Sequence, residues 1–167
     1  MKSSIVRDLA TGKDGEISVL NLLNSGSILA KLNEDKAVRS YYDIIAMLDT
    51  EFTIEVKNDI YAAKSGNIAI EIYNPKSEKL SGLCATKSDI WVHIVDGKHW
   101  FTATNLLKTF VNIHKPKRII DKAGDGNATI YLYDVDIILP AIFICMNDKD
   151  KKQLQADIKG LLKHNGV

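Results

Sequence analysis

The stretch that most constrains this chain runs from Tyr42 to Lys57, where two apolar runs flank Asp49-Thr50-Glu51. The first run is Tyr42 to Leu48 and the second is Phe52 to Val56. Short runs rich in β-branched and aromatic residues, joined by turn formers, predict a β-hairpin. Within FTIEVKN the side chains alternate between the two faces of a strand. Phe52, Ile54 and Val56 share one wholly apolar face, while Thr53, Glu55 and Lys57 share the other. With the turn at about Asp49-Thr50, Asp43 lies across from residues 55 to 56. Cross-strand partners have Cβ atoms roughly 4.5–5.5 Å apart. Two carboxylates and one ammonium then converge with no help from a distant segment.

That grouping has a chemical consequence. Carboxylates held a few ångströms apart repel unless one takes a proton or a cation sits between them. Mg²⁺ (or Mn²⁺) is a hard cation that takes oxygen ligands and keeps waters for a substrate phosphate. Such an ion polarises a phosphodiester and acidifies water, and Lys57 would orient or activate that water and stabilise developing charge.

The remaining elements suggest what holds the hairpin. A rough helical stripe of Ile17, Leu20, Leu23 and Ile28 predicts a helix from about Gly15 to Leu29. Strands are expected at Ile68–Tyr73 and Ile90–Val95, with His99–Thr102 as a short partner across Asp96-Gly97. A helix follows from about Asn105 to Ile113, with Thr104 as N-cap. A basic loop, His114 to Lys122, and the turn Gly124-Asp125-Gly126-Asn127 precede a strand near Thr129–Tyr133. The closing helix is expected over Lys149–Lys163. This order predicts one domain over residues 1–167, an α/β or α+β fold with a central mixed sheet flanked by helices.

Composition narrows the function. The 22 Lys and Arg against 21 Asp and Glu give a net charge of about +1, so a strongly basic DNA-coating protein is excluded. Cys84 and Cys145 have neither CxxC spacing nor a Cys/His cluster around them, and read as buried free thiols in a reducing cytoplasm. The N-terminus has no signal-peptide run, and the longest apolar stretch, Ile137 to Met146, is too short to span a membrane. No membrane partner is expected, and an intracellular, cytoplasmic setting is.

The pattern D-(x₁₁)-E-V-K, formed by Asp43, Glu55 and Lys57, resembles the PD-(D/E)xK motif of restriction-endonuclease-like nucleases. The stretch after Lys57, through Ala62-Ala63-Lys64-Ser65-Gly66-Asn67 into IAIEIY and on to Thr86-Lys87-Ser88-Asp89-Ile90-Trp91, is similar to small phage and bacterial members. The similarity covers roughly residues 14 to 95. It implies a restriction-endonuclease-like core, with Asp43, Glu55 and the Val56 carbonyl binding the metal and Lys57 serving the attacking water. It also matches Glu16 to a glutamate that many members carry on the preceding helix. Tyr42 stands where the motif's proline would be. The function implied is a Mg²⁺-dependent DNA endonuclease of a type found encoded by phage. So small a chain has little room for base readout, which makes a homodimer on DNA the natural expectation.

Weaker signals surround this set. Lys64 and Lys87 flank the site, and Lys115, Lys117 and Arg118 form the densest positive patch; together they are candidates for DNA backbone contact. Glu71 reads as an edge or ion-paired residue, Asp89 as a cap or turn residue, and His93 and His99 as structural histidines. Three rivals stay open: a Holliday-junction resolvase of the same superfamily, a catalytically silent nuclease-like DNA-binding module, and an interaction protein in which the motif is coincidence.

Overall fold

A computed structural model describes residues 2–35, 37–38, 40–123, 128–147 and 150–164, with backbone alone for 2–10. The first helix, α1 (Lys2–Ser25), stops four residues before the sequence periodicity does. Its end is a Schellman turn: Ile28 N–H donates to Leu23 O at 3.0 Å and Ser27 N–H to Asn24 O at 3.0 Å. Ser27 takes the left-handed conformation, φ 61°. Ile28 is buried as the apolar residue of that turn, and Leu29 opens β1 (Leu29–Leu32) instead of ending the helix.

The predicted hairpin is β2 (Ile44–Met47) and β3 (Glu51–Asn58), antiparallel with Ile44 opposite Ile54. After α2 (Ala62–Ser65) come β4 (Asn67–Asn74) and β5 (Lys79–Leu80), then a 3₁₀ turn at Gly82–Cys84. Next are β6 (Ile90–Val95), β7 (Lys98–Ala103) and α3 (Thr104–Ile113). The chain continues through β8 (Arg118–Ala123), β9 (Ala128–Asp134), α4 (Val135–Ile142), β10 (Ile144–Met146) and α5 (Lys151–His164).

A six-stranded mixed sheet, ordered β1-β2-β3-β6-β7-β10, forms the centre, with β3 and β6 its parallel pair. On one face Val19 and Leu23 of α1 and Ile158 of α5 pack with Ile54, Val92 and Phe101. On the other, Trp91 and Val95 meet Leu107 of α3, Ile138 of α4, and Ile68 and Ile70 of β4. A sheet covered on both faces accounts for β6, in which all six residues are buried. The fold is therefore mixed α/β, with a central mixed sheet flanked by helices.

Several expectations are corrected. The strands near Ile68–Tyr73 and Thr129–Tyr133 do not join the central sheet; they pair in a second, antiparallel one, β5-β4-β9-β8. Half of the basic loop is β8, whose mixed sequence Arg118–Ala123 hides an edge strand with little burial. Thr104 is not an N-cap but the first residue of α3, because its hydroxyl faces inward, 3.1 Å from Ser88 Oγ. Both cysteines are exposed: Cys145 lies on edge strand β10 and Cys84 in the 3₁₀ turn. The turn at residues 124–127 lies outside the described residues.

Candidate active site

Asp43 sits one residue before β2 and extends its ladder. Its N–H donates to Ile54 O at 2.8 Å, and its Oδ2 accepts from Val56 N–H at 2.8 Å. Continuing the register from Ile44 opposite Ile54 puts Asp43 beside Glu55. Glu55 and Lys57 share a strand face two residues apart, and Glu55 Oε1 lies 2.6 Å from Lys57 Nζ. The hairpin thus brings Asp43, Glu55 and Lys57 together. The Lys57 ammonium also stands over the buried Trp91 ring, 5.7 Å from its centroid.

Glu16 reaches the same place because α1 crosses β3 very closely at Gly15. A Cβ there would lie 2.8 Å from Asn58 Cβ, so only glycine permits the approach. Asn58 Nδ2 fastens the crossing by donating to Thr11 O at 2.9 Å. Glu16, paired with Lys13 at 3.1 Å, then lines a cleft of about 390 Å³ with Asp43, Val56 and Lys57. Glu55, 8% exposed, is not itself among the lining residues but contacts Lys57, which is.

The charges are unevenly balanced. Burial, then the Glu55 charge and more weakly Glu16, push the Asp43 carboxyl up to about 7, against the Val56 N–H and Lys57. Burial alone would lower the Lys57 pKa. The charge and hydrogen bond of Glu55, with Asp43 and Glu71, outweigh it and hold Lys57 above its ordinary value. Lys57 is therefore firmly an ammonium, placed to orient water and offset negative charge. Glu71 of β4, read from sequence as an ordinary strand residue, contributes to this field.

Among the described residues no group of three Asp, Glu, His or Cys side chains is arranged to hold a metal ion. What the site offers is two carboxylates on paired strands, with the Val56 backbone between them. Each carboxylate has a second oxygen not engaged in the contacts above. An all-oxygen donor set with excess negative charge fits Mg²⁺ or Mn²⁺ and does not fit a soft thiophilic ion.

Two residues of the cleft escape a sequence reading. Asp59 and His93 line it too, with His93 Nε2 3.3 Å from Asp59 Oδ2. Trp91 Nε1–H donates to His93 Nδ1 at 3.4 Å, which assigns the ring proton to Nε2 and makes His93 the donor to Asp59. Burial raises the Asp59 pKa, but the hydrogen bond from His93 and those from the N–H groups of Ala69 and Tyr61 outweigh it, leaving it below the usual carboxylate value. The signal for this pair was the parallel register, which sets Lys57 opposite His93. From sequence alone His93 reads as a structural histidine; its partner Asp59 and its place at the cleft follow only from β6 lying parallel to β3.

The basic candidates are dispersed. Lys64 is exposed on α2. Lys87 lies against the Tyr41 ring at 4.0 Å, beside the segment that leads into Asp43. Lys115, Lys117 and Arg118 stand at the entry to β8, separated from β4 by β9, and Lys117 pairs with Asp134 at 3.2 Å. Asp89 Oδ2 accepts from Thr53 N–H and Oγ1, at 2.8 and 2.9 Å. His99 Nε2 is 2.5 Å from Ser18 Oγ in a separate depression, and burial pushes its pKa down.

Comparison with known proteins finds no match among family models, curated sequences or solved structures.

Proposed function

We propose that this chain is a divalent-metal-dependent DNA endonuclease, similar in its site to the PD-(D/E)xK nucleases. The observation that carries the reading is the joining of Asp43, Glu55 and Lys57 on one hairpin. Asp43 bonds the Val56 N–H, Glu55 lies 2.6 Å from Lys57, and the cleft beside them is walled by Glu16. Asp43 and Glu55, with the Val56 carbonyl, would hold Mg²⁺ or Mn²⁺. Such an ion supplies positive charge to the phosphodiester and acidifies the attacking water.

The chain's own groups do the rest. Lys57, kept cationic by Glu55, Asp43 and Glu71, donates hydrogen bonds to the water and to the phosphate oxygens as charge develops. Glu16 extends the negative wall of the cleft and would help to orient water within it. Lys64 and Lys87 supply backbone contacts near the site, whereas Lys115, Lys117 and Arg118 would serve only a duplex long enough to reach the second sheet. A dimer on DNA belongs to the same proposal.

The test is cleavage of supercoiled plasmid and of a synthetic four-way junction in Mg²⁺, Mn²⁺ or EDTA, by wild type and Glu55→Ala. Metal-dependent cutting lost in the variant supports the reading, and preference for the junction would assign a resolvase. No cutting of either substrate, with no metal-induced rise in thermal stability, would leave a DNA-binding module as the better account.

A further inference from the structure

The mouth of the carboxylate cleft carries two adjacent large apolar side chains, Ile60 and Tyr61, which line it and remain 49% and 58% exposed. Their backbone is tightly held. Asp59 N–H donates to Ile94 O at 3.0 Å, and Asp59 Oδ1 accepts from Tyr61 N–H at 3.2 Å. Asp59 Oδ2 accepts from Ala69 N–H at 3.2 Å and meets His93, whose ring is fully buried. Ser65 N–H then closes on Tyr61 O at 2.8 Å. The Asp59–His93 pair thus holds a short segment between β3 and β4, whose Ile60 and Tyr61 side chains line the cleft mouth about half exposed. An exposed aromatic side chain on a firmly held backbone at the edge of a charged cleft is suited to stacking a planar ligand.

Resting on the nuclease reading, we propose that Tyr61, backed by Ile60, stacks a nucleobase next to the scissile phosphate. A base inside a duplex is already stacked on both sides. One that packs on Tyr61 has left the helix or comes from a single strand. The substrate class is therefore DNA with an unpaired base at the cleavage position: a single strand, a flap or the opened arm of a branch. Asp59 and His93 act as positioning residues for this lip and touch no reacting atom.

The test uses full-length protein in EDTA, where no cutting occurs, and oligonucleotides carrying 2-aminopurine, whose fluorescence falls on stacking. Wild type should quench the probe in a single strand and bind it more tightly than the matched duplex. Tyr61→Ala should lose the quenching and bind the single strand about 5- to 100-fold more weakly, at an unchanged melting temperature. Tyr61→Phe should restore both. Quenching and affinity unchanged in Tyr61→Ala, or absence of quenching by a wild type that binds the strand, would overturn the proposal. The quenching test on wild type stands even if Tyr61→Ala misfolds. A wild type that cuts DNA in Mg²⁺ while Tyr61→Ala behaves identically refutes the stacking alone. A wild type that neither binds nor cuts DNA refutes the nuclease reading and the stacking with it.

Discussion

Replacing Asp43 by asparagine should make the metal-free protein more stable. The carboxyl titrates near 7 in the folded chain against 3.8 for the free side chain, chiefly through burial and then Glu55. Below about pH 4 both folded and unfolded chains hold the proton, and the shift has no effect on stability. Between about pH 4 and 7 the unfolded chain ionises first, so stability falls as pH rises, by about 1.4 kcal/mol per pH unit. Above pH 7 the cost is complete, at most about 4 kcal/mol for a shift of this size. Asp43 is partly exposed, so about 2–4 kcal/mol is the working range. The asparagine amide keeps an oxygen for the Val56 N–H, so the substitution removes the charge and retains the bond. In EDTA at pH 8 the D43N protein should melt about 4–16 °C above wild type, given about 2–4 °C per kcal/mol for a chain this long. At pH 4 the gain should shrink below about 1 kcal/mol. Mg²⁺ or Mn²⁺ should raise wild type and leave D43N nearly unmoved. Thermal melts at both pH values decide it: a D43N protein no more stable than wild type at pH 8 would refute the electrostatic account of the site.

Three further outcomes follow from the same structure. Gly82 has φ 51°, and a Cβ there would lie 2.4 Å from the Glu71 backbone oxygen, so Gly82→Ala should cost about 1–3 kcal/mol in urea denaturation. The depressed Asp59 pKa adds stability that is complete above the ordinary carboxylate value and is lost as pH falls through the folded one. Asp59→Asn should therefore flatten the acid side of the stability profile, read by acid unfolding of variant and wild type. Lys57→Met should lower the single-turnover cleavage rate about 10²- to 10⁴-fold while DNA affinity changes far less, because the ammonium acts on developing charge.

The hairpin was legible because its information is local. Strand alternation puts Glu55 and Lys57 on one face, and a short turn fixes Asp43 beside them, with no long-range contact needed. Glu16 was legible only as a position on a helix; the close crossing that brings it to the site depends on Gly15 meeting Asn58, a packing event without periodicity. Asp59 and His93 stayed hidden because they meet through a parallel pairing between segments that α2, β4 and β5 separate in sequence. The apolar stripe overruns the true end of α1 because Ile28 continues it, although its side chain belongs to the capping turn; residues 2–14, which carry no such stripe, are helical as well. The second sheet was missed for a similar reason: β4 and β9 alternate like central strands, and only their partners tell which sheet they join.

The central claim is that Asp43, Glu55 and Lys57 form a metal-dependent cutting site, and Asp43→Asn tests it most directly. The measurement is the rate of plasmid nicking against Mg²⁺ concentration for wild type and D43N at pH 8. The account predicts a metal-dependent rate for wild type and loss of cutting in a variant that is folded and more stable. Equal cutting by both proteins, or none by wild type in either Mg²⁺ or Mn²⁺, would contradict it.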